Sequence, residues 1–144
     1  MSPLVDGWKI EIGDRSSDAD AADLRTALHE YNAASTGYRD GRALSCFLRD
    51  NNGRLVAGVD GFTWGGYAGI DVLWVDEPLR HQGLGRALLA AAEAEARRRG
   101  CKTIVLDTHS FQAPDLYPAL GYRKVGETRE TPVGHSQVLF QKDL

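Results

Sequence analysis

Leu73-Trp74-Val75-Asp76-Glu77-Pro78-Leu79-Arg80-His81-Gln82-Gly83-Leu84-Gly85 leads directly into Arg86-Ala87-Leu88-Leu89 and an alanine-rich run that ends at Arg97-Arg98-Arg99-Gly100. Its first three residues read as the end of a buried strand. Asp76-Glu77-Pro78 form a polar corner, and Gly83 and Gly85 a tight turn. Beyond the turn a helix is predicted. Leu84, Leu88 and Ala91 fall at i, i+4 and i+7, which turns one apolar stripe toward a core. Ala87, Ala90, Ala92, Ala94 and Ala96 add helix propensity. The three arginines suit the negative end of the helix dipole, and Gly100 is the expected stop. Two glycines one residue apart let backbone pass close to a ligand, and the helix start leaves N–H groups without intrahelical partners. A strand feeding such a start makes an anion site, and phosphate is its commonest guest.

Two familiar phosphate-binding patterns do not fit. The dinucleotide fingerprint needs a third glycine where Leu88 stands. The P-loop needs Gly-Lys-Ser/Thr, which is missing here. An ordinary glycine-capped turn explains a short Gly-x-Gly equally well, so the rest of the chain has to decide.

A chain of 144 residues is expected to form one domain, residues 1–144, with a sizeable core. With 42% hydrophobic and 26% charged residues it has the composition of a globular protein. Its net charge of −3 argues against broad binding to nucleic acid. No secretory signal pattern stands at the N-terminus, and no apolar run approaches the roughly 20 residues a membrane span needs. Cys46 and Cys101 each sit among apolar, strand-like residues. They read as buried free thiols in a reducing cytoplasm.

In chain order, Trp8, Ile10 and Ile12 alternate with polar residues and suggest a first strand over 7–12, broken by Gly13-Asp14-Arg15. Ser17-x-x-Asp20 resembles a capping box, and Leu24, Leu28 and Tyr31 follow at helical spacing, so a helix is expected over 18–34. Leu44, Cys46 and Leu48 alternate. Asn51-Asn52-Gly53 signals a turn. Strands follow over 55–64 and 67–75, joined at Gly65-Gly66. After the long helix, Ile104-Val105-Leu106 marks a buried strand over 102–108. A helix between two such strands is a right-handed crossover, so the strands should be parallel neighbours. A short helix over 113–120 is disturbed by Pro118, and two final strands flank Pro132-Val133-Gly134.

That order, with three separated motifs, resembles the GNAT family of acyl-CoA-dependent N-acetyltransferases over nearly the whole chain. The first motif is Val75-x-x-Pro78-x-Arg80-x-x-Gly83-x-Gly85, which fits the family's Arg/Gln-x-x-Gly-x-Gly/Ala turn. The second is the strand from Ile104 to Thr108. The third is Leu116-Tyr117-x-x-Leu120-Gly121-Tyr122, close to the family's Leu/Phe-Tyr-x-x-x-Gly-Phe/Tyr ending. The resemblance implies an α/β fold of the GNAT type. Such a fold has a mixed central sheet, an antiparallel N-terminal meander, splayed parallel central strands and flanking helices.

The resemblance also implies acetyl-CoA as co-substrate, with no metal. Backbone N–H groups of Gln82, Gly83, Leu84, Gly85 and Arg86 would hold its pyrophosphate, with Arg80 and His81 completing the loop. His81 replaces the glycine often found there, which stiffens the turn. Leu73, Trp74 and Val75 would run along the pantetheine arm as an added strand does. An N–H of this segment could stabilise the thioester oxyanion. Tyr117 holds the position of the family's general acid, and packing alone is its bland alternative. Asp71, on the strand before the turn, is the nearest base, acting through water. Asp107, His109 and His135 could also reach the groove. Ser110 stands where many members have an asparagine that touches the cofactor.

The acceptor is an amine, and a small molecule is expected. A peptide N-terminus or a lysine is the alternative acceptor. By analogy residues 35–42 form one wall, and Asp60, Trp64 and Tyr67 would make an amine-friendly pocket if their faces point inward. A CoA-binding sensor with little catalysis is the competing class. Homodimerisation stays open.

Overall fold

The computed structural model describes residues 7–14 and 17–144. Contacts divide the chain into two compact units, residues up to Tyr38 and residues from Arg39.

The first unit carries helix α1 (Asp18–Thr36). Ser17 caps it as the sequence predicts, its hydroxyl accepting the Asp20 N–H at 3.0 Å. The helix runs two residues past the predicted end. Gly37 closes it in the left-handed region, its N–H on the Ala33 carbonyl at 2.8 Å. The predicted strand over 7–12 is not formed, and its backbone joins no ladder. Alternation says which face a strand would bury but does not supply a partner. Arg15, part of the predicted break, lies outside the described residues.

The second unit is a six-stranded sheet ordered β1-β2-β3-β4-β6-β5. Strands β1 (Arg42–Arg49), β2 (Leu55–Trp64) and β3 (Tyr67–Val75) form the predicted antiparallel meander. The β1–β2 turn is tied by Asp50, whose carboxylate accepts the N–H groups of Asn52 and Arg54. A 3-10 turn (Glu77–Leu79) leads to helix α2 (Leu84–Arg98). Strand β4 (Thr103–His109) follows. Then come a single helical turn, α3 (Leu116–Ala119), and strands β5 (Arg123–Arg129) and β6 (Ser136–Asp143). Pro118 holds α3 to that one turn.

Helix α2 packs on β1, β2 and β3. Its buried positions are Leu89, Ala92, Glu93 and Ala96, whereas Ala91 is exposed. The face is therefore rotated from the predicted Leu84-Leu88-Ala91 stripe. Alanines on every side give little contrast, and a charged residue on the inner face hid the true period. Leu89 belongs to the same buried core cluster as Leu44, Val59, Ala68, Ile70, Ile104 and Leu106, and burying one such leucine contributes about 1.5–3 kcal/mol. The helix ends in a Schellman motif: Cys101 N–H reaches the Ala96 carbonyl at 2.9 Å and Gly100 N–H the Arg97 carbonyl at 2.9 Å. Arg99 is a staple, donating to Glu95, to the Ala43 carbonyl at 2.8 Å and to Thr63.

Glu93 is 6% exposed and fully partnered. It accepts the Tyr122 hydroxyl at 2.8 Å and Lys142 Nζ at 3.0 and 3.1 Å. This buried cluster ties α2 to β6 and to the segment that follows α3.

Candidate active site

Strands β3 and β4 are parallel neighbours for only four rungs, Tyr67↔Thr103 to Ile70↔Leu106. Both continue, β3 to Val75 and β4 to His109, without pairing to each other. The sheet thus forks, and the first residues beyond the last rung are Asp71 and Asp107. β2 stays paired with β3 as far as Val75, and β6 with β4 as far as His109, so each arm is held from outside.

A cavity of about 590 Å³ occupies the fork. Among the predicted site residues, Asp71, Leu73, Val75, Arg80, His81, Gly83, Leu84, Gly85, Arg86 and Tyr117 line it, as do Asp107 and His109. Trp74, Gln82 and Ser110 do not. Trp74 lies between two lining residues of a strand, where neighbours point to opposite faces. The Gln82 side chain turns back to the Pro78 carbonyl. Ser110 is engaged with β6, its N–H on the Ser136 carbonyl and its hydroxyl accepting the Ser136 N–H. Gln112 is a lining residue that the sequence did not reveal. Its side-chain oxygen accepts both the His109 N–H and the Thr108 hydroxyl, a link visible only once the loop closes.

At the mouth, Gly83 caps α2 with φ 83°, and the first helical bond runs from Ala87 N–H to the Gly83 carbonyl. The N–H groups of Gln82, Gly83, Leu84, Gly85 and Arg86 therefore have no backbone partner among the described residues. Arg80 holds the turn to β3 through its Nε on the Val75 carbonyl at 2.9 Å. His81 takes φ 62°, a left-handed conformation that costs a non-glycine residue about 1–2 kcal/mol. Five free amides at a helix start suit a pyrophosphate, so the residues present fit the group the resemblance implies.

Inside the fork, the ring of Tyr117 packs against Tyr122 and Phe140, with centroids 5.8 and 5.4 Å apart. The residue is 7% exposed, yet its hydroxyl makes no hydrogen bond among the described residues. Burial raises its pKa, and the Asp107 carboxylate raises it further. Tyr122 is the contrast: its hydroxyl is spent on Glu93, and burial with that hydrogen bond pushes its pKa well up. Asp71 and Asp107 have no cationic partner among the described residues. Burial also raises the pKa of Cys46 and Cys101, and neither thiol lines the cavity.

The expected amine pocket of Asp60, Trp64 and Tyr67 is not assembled. Trp64 and Tyr67 close the β2–β3 turn at the far end of β3, and Asp60 is bonded to Ser45. Asp40 likewise belongs to that end, accepting the Gly65 N–H at 2.9 Å.

This forked layout is the one that the resemblance implies for an acyl-group transferase, and comparison with known proteins supports that class. The model of the Acetyltransferase (GNAT) family matches residues 11–122. An acetyltransferase of Agrobacterium fabrum is 35% identical over 127 residues, 88% of this chain and 93% of that protein. A blasticidin-S acetyltransferase of Streptomyces morookaense is 39% identical over 93 residues, 64% of this chain and 68% of that protein. The crystal structure of a candidate acetyltransferase from Agrobacterium tumefaciens superposes with a TM-score of 0.89 at 31% identity, covering 95% of this chain and 100% of that one. The chain belongs to the GNAT family and is an acetyltransferase. Among the described residues no helix is long and apolar enough to cross a membrane.

Proposed function

We propose that the protein transfers the acetyl group of acetyl-CoA to a primary amine of a small molecule by direct attack in a ternary complex. The hydroxyl of a buried tyrosine, without a hydrogen bond among the described residues, in a cavity lined by four of the five residues whose amides lack a backbone partner there, is the observation that carries this reading. The amides at 82–86 would hold the pyrophosphate, and the β3 arm at Leu73 and Val75 would lie along the pantetheine. The amine nitrogen attacks the thioester carbon, a C–N bond forms and the C–S bond breaks. The nitrogen loses a proton and the leaving sulfur gains one. Tyr117 supplies the sulfur's proton, and Asp71, at the fork, takes the nitrogen's through water. Two carboxylates without cationic partners among the described residues attract a protonated amine into the fork, where it gives one proton to solvent before attacking as the neutral amine. The blasticidin-S acetyltransferase relative supports a small-molecule acceptor.

The test is acetyl-CoA turnover against a panel of amines that includes blasticidin S, polyamines, amino acids and an N-terminal peptide, read by thiol release. Turnover with a small amine is expected. Turnover confined to the peptide would replace the acceptor class. Turnover with none, together with no thermal stabilisation by CoA, would remove the cofactor assignment.

The raised pKa of Tyr117 makes a second prediction. A raised value keeps the phenol protonated to higher pH, so the midpoint of its loss as an acid lies above the ordinary tyrosine value of about 10. A pH profile of kcat should therefore show any falling limb from this group displaced upward, with no midpoint below about pH 10. A fall with a lower midpoint that Tyr117→Phe abolishes would contradict the assignment.

A further inference from the structure

The fork has two arms, and the β3 arm leads to the glycine turn and the coenzyme. The β4 arm ends at His109, which lines the cavity and is held more firmly than a surface histidine requires. Its Nδ1 lies 2.8 Å from the Thr131 carbonyl oxygen. A carbonyl can only accept, so the hydrogen is assigned to Nδ1, and the neutral ring presents its lone pair at Nε2. The ring is stacked on Phe111, with centroids 5.2 Å apart and planes within 6°. His135 meets Phe111 edge-on at 5.0 Å. The backbone beneath is fixed as well, by Gln112 on the His109 N–H and by the two-way pairing of Ser110 with Ser136. Phe111 remains 56% exposed and, unlike His109, does not line the cavity itself, so its ring stands outside the lining, beside His109. The result is a rigid aromatic wall at the rim of the cavity with one oriented hydrogen-bond acceptor, on the arm away from the coenzyme turn.

We infer that this wall reads the acceptor: Nε2 of His109 accepts a hydrogen bond from an N–H or O–H group on a planar part of the acceptor, whose face lies against Phe111. The inference rests on the small-amine reading above and narrows it. The acceptor is an amine carrying a flat ring with a donor group, not a plain alkylamine or polyamine. A wall built to pair with a donor discriminates against an analogue that lacks one, because its own polar atom is then left unpaired.

Tyramine, phenethylamine and propylamine are the probes, assayed by thiol release at pH 8.5 with saturating acetyl-CoA. The first two differ only by the ring hydroxyl. Wild type is expected to favour tyramine over phenethylamine by about tenfold in kcat/KM, carried by KM. His109→Phe keeps a flat ring against Phe111 and removes Nε2, and should bring tyramine down to the level of phenethylamine. Phe111→Leu should weaken both ring amines alike. Thermal stabilisation by CoA shows that each variant is folded. Equal use of tyramine and phenethylamine by wild type overturns the inference and leaves the small-amine reading standing. So does a His109→Phe that keeps the preference, or one that loses kcat at unchanged KM, the mark of a proton-transferring group. So too does turnover of other small amines with none of the three probes. Inertness toward every small amine overturns the underlying reading itself.

Discussion

Tyr117→Phe is expected to lower kcat by about 10²- to 10⁴-fold while leaving acetyl-CoA binding close to wild type. The substitution removes one oxygen and keeps the ring, with its contacts to Tyr122 and Phe140. That oxygen has no hydrogen-bond partner among the described residues, so its loss breaks no hydrogen bond among them. Stability should move by less than about 1 kcal/mol. Tyr122→Phe should behave oppositely. It deletes the donor to a buried Glu93 and should cost about 1–3 kcal/mol in denaturant unfolding. Two tyrosines five positions apart thus separate chemistry from stability. If Tyr117→Phe turns over at the wild-type rate, the leaving thiolate finds its proton elsewhere and the assignment fails.

The contrast between these tyrosines also shows what the sequence could convey. Leu116-Tyr117-x-x-Leu120-Gly121-Tyr122 placed both residues, but only packing gave Glu93 to one hydroxyl and left the other free. The meander was legible because alternation, Asn51-Asn52-Gly53 and Gly65-Gly66 are all local signals, and β2 and β3 fall on their predicted bounds. Local signals misled where tertiary pairing decides. Trp8, Ile10 and Ile12 alternate without a partner strand, and α2 turns a glutamate inward because Tyr122 and Lys142 wait for it. The fork itself came from the family resemblance. No spacing in the chain says that β3 and β4 stop pairing after Ile70 and Leu106. The His109–Thr131 bond joins residues 22 apart, across a loop that shows no period. Residue identity made His109 a candidate, and only the closed loop showed which nitrogen is free.

Gly61→Ala carries the largest expected loss of stability, about 3 kcal/mol, read as a lowered denaturant midpoint. A Cβ on Gly61 would stand 2.0 Å from the Gly69 carbonyl oxygen and 3.0 Å from Ile70 Cα. Both obstacles are backbone, so no rotamer change relieves them, and β2 and β3 must part. The damage should not stay local. Gly61 pairs with Ile70 at a register shift, and Ile70 pairs in turn with Leu106 on the last rung before the fork. Displacing Ile70 shifts the rung at which the fork opens and the strand that leads to the glycine turn. Affinity for CoA should therefore fall along with stability, although Gly61 lines no part of the cavity. Gly58 supplies the comparison on the same strand. Its added Cβ would press on the Phe47 ring at 3.0 Å and on the Cys46 carbonyl oxygen at 3.2 Å, tight contacts in which the ring can yield. Gly58→Ala should cost less and leave CoA binding nearer wild type. Equal losses from both substitutions would mean that the strain spreads through the whole meander and is not focused on the rung where the fork opens.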